Sequence, residues 1–275
     1  MYFCVEQDHA HQKDGACPHE GLDLFRTATE GLTHDLNLPG YLVLLTETSF
    51  LINNEEVTAL PRLPGTYDVT CKSTTENSKR FSLLIPREIN EIKKPALGLI
   101  LHYGGEPSRF YGRPLLEHLF GPALKRLNTY LVAPESLGGK WDSPENESFV
   151  MNLLETTLSQ YTIDEKRLFA GGYSLGALGT WHLVENYPDT FTAGIPVAGI
   201  PQLLPEQSPP IFTIACETDE IFPYENFKQS IEEAKSNGLE IQFATSRAKG
   251  HYDIGGFSTE LEPVSDWLES IWHRS

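Results

Sequence analysis

The chain has 275 residues, 21 basic and 38 acidic, giving a formal charge of −17. That charge repels polyanions and argues against nucleic acid or an anionic membrane surface as a partner, leaving small neutral or cationic molecules. With 40% hydrophobic and 21% charged residues the composition is that of a soluble globular protein and excludes the disordered class.

The N-terminal stretch MYFCVEQDHAHQKDGACPHE has neither the basic start nor the apolar run of a secretory signal. Cys4, Cys17, Cys71 and Cys216 form no CxxC pair and no dense framework, so a reduced, cytoplasmic setting is expected. His9, His11 and Cys17 match no zinc-ligand spacing, and neither a metal nor another cofactor is implied. Residues 1–60 read as an N-terminal extension whose structure the sequence leaves open. Within it, YLVLLTETSFLINNEEVTAL reads as two apolar strands joined at Asn53 and Asn54, residues that tolerate left-handed backbone.

From 61 to 275 the pattern changes to a single domain in which strand-length apolar runs alternate with amphipathic segments. The strand candidates are TYDVTC, RFSLLIP, ALGLILHY, TYLVAPE, RLFAGGY, AGIPVAG, IFTIACE and EIQFATS. Helices are expected over 113–127, 145–161, 175–186, 224–237 and 263–273. This rhythm predicts an α/β fold with a mostly parallel eight-stranded sheet and helices on both faces. The uninterrupted apolar character of Leu97 to Leu101 suits a strand buried on both sides.

One run breaks the pattern. In LFAGGYSLGALGTW, Ser174 follows a strand and precedes a helix, with Gly172 two residues before it and Gly176 two after. A strand that turns at once into a helix strains its corner residue and brings flanking backbone so close that only glycine fits. Such a turn lifts the serine hydroxyl above the sheet edge and aims the Leu175 N–H, at the helix start, where a negative oxygen can be held. The competing account makes Ser174 an ordinary helix cap.

A serine hydroxyl needs a base, and the base needs an orienting acid. Asp219 falls in the loop after IFTIACE, with Glu217 as its rival, and His251 falls in the loop after EIQFATS. The chain order is therefore nucleophile, acid, base. After ALGLILHY come Gly104 and Gly105; Gly104 is the first choice for the second oxyanion donor and Gly105 the alternative. His102 reads as a structural hydrogen-bonder beneath that loop. Tyr103, Gly105, Tyr173 and Trp141 are the expected substrate contacts, although loop aromatics such as Trp141 serve equally well as anchors.

These motifs, together with APESLGGKWDSP and ACETDEIFPYEN…KGHYD, resemble the α/β-hydrolase superfamily in its compact, cap-less esterase branch. The phospholipase/carboxylesterase and polyhydroxybutyrate-depolymerase-like esterases are the groups that they are most similar to. The resemblance covers roughly 66–275 and implies a serine ester hydrolase with Ser174 as nucleophile, Asp219 as acid and His251 as base. Only IPQLLPEQSP separates AGIPVAG from PIFTIACE, and about ten residues cannot build a lid. A small carboxylic ester is the expected partner. A thioesterase, a peptidase of the same fold and a non-catalytic binding module are the alternatives.

Overall fold

The structure is a computed structural model that describes residues 2–4, 9–11, 25–26, 49–71, 79–87, 93–106, 108–200 and 208–274. The chain divides into two compact units, Met1–Thr46 and Glu47–Ser275. In the first, β1 (Tyr2–Cys4), β2 (His9–His11) and β3 (Phe25–Arg26) pair antiparallel in the order β2-β1-β3.

The second unit is built on one ten-stranded sheet rather than the expected eight-stranded one. The two additional strands are β4 (Phe50–Ile52) and β5 (Glu55–Val57), which form the expected hairpin. Asn53 and Asn54 turn it with φ of 52° and 66°, the left-handed geometry that a two-residue hairpin loop demands. Phe50 pairs with Cys71 and Ile52 with Val69, so this hairpin is the edge of the main sheet. Residues 41–48 of the same apolar stretch lie outside the described residues.

The sheet continues with β6 (Gly65–Cys71), β7 (Lys79–Ile85), β8 (Ala96–Leu101), β9 (Thr129–Pro134), β10 (Leu168–Tyr173), β11 (Ala193–Val197), β12 (Ile211–Cys216) and β13 (Ile241–Ser246). Its order is β13-β12-β11-β10-β8-β9-β7-β6-β4-β5. From β13 to β9 every pairing is parallel, and from β9 to β5 every pairing is antiparallel. Every residue of β8 to β12 is buried, as a strand covered on both faces requires.

Helices supply both covers. On one face α3 (Pro144–Gln160), α4 (Leu175–Asn186) and α5 (Tyr224–Ser236) bring Phe149, Leu153, Trp181, Phe227 and Ile231 into the core that holds Leu97, Leu99 and Leu101. On the other, α1 (Arg113–Leu115) runs through a π-helical turn at Leu116–Phe120 into α2 (Gly121–Leu124). That element packs with Trp267 and Leu268 of the C-terminal helix against Ile100, Phe169 and Phe212. Alternate residues of β8 thus serve opposite cores, the period-two consequence of the pleat. Among the described residues no helix is long and apolar enough to cross a membrane.

Candidate active site

The parallel strands end at one edge, where the loops that follow them converge. Tyr173 closes β10 opposite Val197 of β11, and Gly172 lies opposite Leu101 of β8. The chain then turns directly into α4. Ser174 makes the corner with φ 55° and ψ −116°, outside the regions that L-residues ordinarily occupy and costing of order 1–3 kcal/mol. Its N–H donates to the Val197 carbonyl at 2.9 Å. The neighbouring glycines are sterically compulsory: a Cβ on Gly172 would lie 2.3 Å from the Gly176 carbonyl oxygen, and one on Gly176 would lie 2.0 Å from that of Leu101.

The Ser174 side chain does not cap α4. Its Oγ lies 2.7 Å from Nε2 of His251, and Nδ1 of His251 lies 2.8 Å from Oδ2 of Asp219. Oδ1 of Asp219 accepts the Ile221 and Phe222 N–H groups at 2.8 and 2.7 Å, which fixes the carboxylate plane. Both side chains are removed from water, with His251 3% and Asp219 8% exposed. With Nδ1–H donating to Asp219, Nε2 is left to accept the serine proton. Glu217, the rival acid, stands exposed just beyond β12.

The His251 backbone is clamped on both sides. Its N–H donates to Glu220 Oε2 at 2.8 Å, and its carbonyl accepts the Tyr173 hydroxyl. Tyr173, expected to touch substrate, is only 2% exposed; the structure turns it inward to hold the histidine. Burial, and next the Asp219 charge, push its phenol far above the usual range, so it remains a donor at any working pH. Glu220 was not singled out from the sequence, where only its place beside Asp219 marks it.

Gly104 and Gly105 follow β8 and meet the start of α4: a Cβ on Gly104 would touch Leu175 Cβ at 3.6 Å. The Leu175 N–H, first in its helix, has no acceptor within that helix. Gly105 has φ +123°, and Tyr111 Oη stands 2.9 Å from where its Cβ would be. Beneath this turn lies His102, as its structural reading required. Its Nδ1–H donates to the Tyr103 carbonyl at 2.7 Å, and its Nε2 accepts the Ser136 N–H at 3.0 Å. Burial holds the imidazole below its usual pKa, favouring this neutral form.

Trp141, another of the expected substrate contacts, is 3% exposed and donates from Nε1 to the His102 carbonyl at 2.9 Å. It anchors the loop rather than lining an open pocket, because its indole N–H is spent on that buried carbonyl. Tyr103 is half-buried and packs edge-on against Tyr111 at 4.8 Å. A cleft of about 520 Å³ opens between α4 and α5, lined by Leu178, Ile200, Phe222, Asn226, Gln229 and Glu233 among others. Phe222 also packs against the His251 ring at 5.5 Å. Among the described residues no group of His, Cys, Asp or Glu converges to hold a metal ion.

The strand-turn-helix corner at the end of a central parallel strand, on a sheet of this order, defines the α/β-hydrolase fold, which this chain adopts. The curated relatives it matches are esterases, and its structural neighbours are esterases, other serine hydrolases and acylaminoacyl peptidases. It is similar to acetylxylan esterase A of Emericella nidulans, with 27% identity over 135 residues, 44% of this chain and 42% of that protein's length. It is also similar to a probable acetylxylan esterase A of Aspergillus flavus, with 25% identity over 222 residues, 74% of this chain and 68% of that one. Among solved structures, a thermostable esterase superposes with a TM-score of 0.61 at 21% identity, over 74% of this chain and 62% of that chain. No family model matches the chain.

Proposed function

We propose that this protein hydrolyses small carboxylic esters through an acyl-enzyme on Ser174. The observation that carries the reading is the continuous chain from Ser174 Oγ to His251 Nε2 at 2.7 Å and from His251 Nδ1 to Asp219 at 2.8 Å. The esterase activities named for the relatives support it.

In this reading His251 takes the serine proton as Oγ attacks the ester carbonyl, and Asp219 stabilises the imidazolium that forms. The N–H groups of Leu175 and Gly104 hold the tetrahedral oxyanion. His251 then protonates the departing alcohol. A water molecule, deprotonated by the same imidazole, attacks the acyl carbonyl and releases the acid and free Ser174. The cleft between α4 and α5 shares Phe222 with the surroundings of the His251 ring and is the proposed room for one half of the ester. Its lining combines apolar Leu178, Ile200 and Phe222 with polar Asn226 and Gln229, and suits a small acyl or aryl group.

The test is hydrolysis of p-nitrophenyl acetate, butyrate and octanoate by wild type and Ser174→Ala. The variant is expected to lose about 10⁴-fold or more in kcat, as removal of a triad nucleophile does. Equal negligible rates in both proteins, with no fluorophosphonate labelling of Ser174, would sink the proposal.

A further inference from the structure

Glu135 is a buried charge that the reaction above leaves unused. It follows β9 and is 5% exposed. Arg80 of β7 grips it, with Nε 2.9 Å from Oε1 and 3.0 Å from Oε2, and its Nη2 also reaches Oε1. Glu135 Oε2 in turn accepts the Phe110 N–H at 2.6 Å.

Phe110 has φ 59°, a left-handed conformation that a bulky side chain adopts only when its surroundings impose it. The Phe110 carbonyl is held too, by the Arg113 N–H at 2.9 Å. Arg113 is tied to Asp68 at 2.8 Å, and Asp68 accepts the Ser82 hydroxyl at 2.8 Å. Both sides of this strained residue are therefore bolted to the antiparallel half of the sheet.

The next residue shows what the strain accomplishes. Tyr111 swings over the glycine turn, where its hydroxyl donates to the Gly104 carbonyl at 3.4 Å and fills the space beside Gly105. Its ring meets His102 edge-on at 4.9 Å and Tyr103 at 4.8 Å. We propose that the Arg80–Glu135 pair is a positioning device for the oxyanion turn, acting through Phe110 and Tyr111 to set the Gly104 N–H relative to Leu175. Charge-assisted bonds are about twice as strong as neutral ones, and this pair, with its carboxylate buried, supplies the force that keeps Phe110 left-handed. This inference rests on the esterase reading of Ser174.

An oxyanion donor acts on the transition state and not on the bound ester, so the device moves kcat and leaves KM in place. Glu135→Ala in the full chain is expected to lower kcat on p-nitrophenyl acetate about 10- to 100-fold with KM within about threefold, the scale of a misplacement approaching 1 Å. Affinity for a trifluoromethyl ketone, which forms an oxyanion on the serine, should fall in parallel. Glu135→Gln still offers Phe110 an acceptor and should recover part of the loss. Unchanged kcat in folded Glu135→Ala, or lower kcat with unchanged ketone affinity, overturns the inference. If that variant does not fold, Tyr111→Phe decides: it keeps the ring contacts and loses the bond to Gly104, and should lower kcat and ketone affinity about two- to fivefold. Wild-type values for it overturn the inference. Absence of Ser174-dependent hydrolysis in wild type overturns both readings, whereas its presence with unaltered Glu135 and Tyr111 variants overturns this one alone.

Discussion

Gly176→Ala tests the elbow most directly. The added methyl would lie 2.0 Å from the Leu101 carbonyl oxygen, 2.6 Å from its carbon and 2.8 Å from the His102 carbonyl oxygen. These are backbone atoms of β8 and the turn after it, so no side chain can swing aside. Helix α4 must retreat by about 1 Å to reach a tolerable contact, carrying Ser174 and the Leu175 N–H away from Gly104. Overpacking of this kind costs about 1–3 kcal/mol, which in a domain of this size lowers Tm by about 2–12 °C. A misplacement of about 1 Å between nucleophile and oxyanion donors should also reduce kcat about 10²-fold. Differential scanning fluorimetry and p-nitrophenyl butyrate hydrolysis read the two effects. Gly255→Ala is the control, since a Cβ there meets nothing within 4 Å. A Gly176→Ala protein with the Tm and kcat of the control would refute the claim that close backbone approach sets this corner.

Two further substitutions probe the imidazoles. Asp219→Asn keeps an acceptor for the Ile221 and Phe222 N–H groups but presents an amide donor to His251 Nδ1, forcing the wrong tautomer. The fold should survive while kcat drops about 10⁴-fold, and a loss below tenfold would remove Asp219 from the mechanism. His102 gives a pH signature. Burial lowers its pKa in the folded state from the usual 6.5, so the unfolded chain takes up the proton first as pH falls. Its contribution to stability is therefore complete above about pH 6.5 and is lost progressively below it. Urea unfolding from pH 7.5 to 5 should show a smaller loss of stability in His102→Asn than in wild type. Parallel curves would mean that His102 does not titrate differently on folding.

The parallel half of the sheet was legible because strands covered on both faces must be apolar throughout, and β8 to β12 are. The hairpin's own turn was legible in Asn53 and Asn54. Its attachment was not, because the pairing of Phe50 with Cys71 depends on strand register across a long connection rather than on local pattern. Ser174, Asp219 and His251 could be found because each follows the end of a strand in a parallel sheet, where the topology gathers loops at one edge. Tyr173 and Trp141 were misjudged for a common reason: an aromatic residue near a site has the same sequence signature whether it faces substrate or fills the wall behind it. Burial decides, and burial is a property of the assembled sheet.

What escaped the sequence altogether has a physical pattern. Glu220 lies 31 positions from the His251 N–H that it accepts, and Glu135 lies 55 from Arg80. Both lie inside stretches quoted for the family resemblance, APESLGGKWDSP and ACETDEIFPYEN, yet nothing there marks them, because neither needs a fixed spacing to any reacting group. Loops that carry reacting groups are mobile by default and must be held by something outside themselves. Here a carboxylate does so in each case, accepting a backbone N–H from the loop: Glu220 from His251 and Glu135 from Phe110. The two differ in what backs them. Glu135 is buried and gripped by Arg80, so it can pin a strained residue. Glu220 is exposed and has only to steady a histidine already fixed at its ring by Asp219 and at its carbonyl by Tyr173. In the proposed mechanism the carboxylate that is buried and gripped by Arg80 thus serves the loop that would contribute backbone position rather than a reacting side chain.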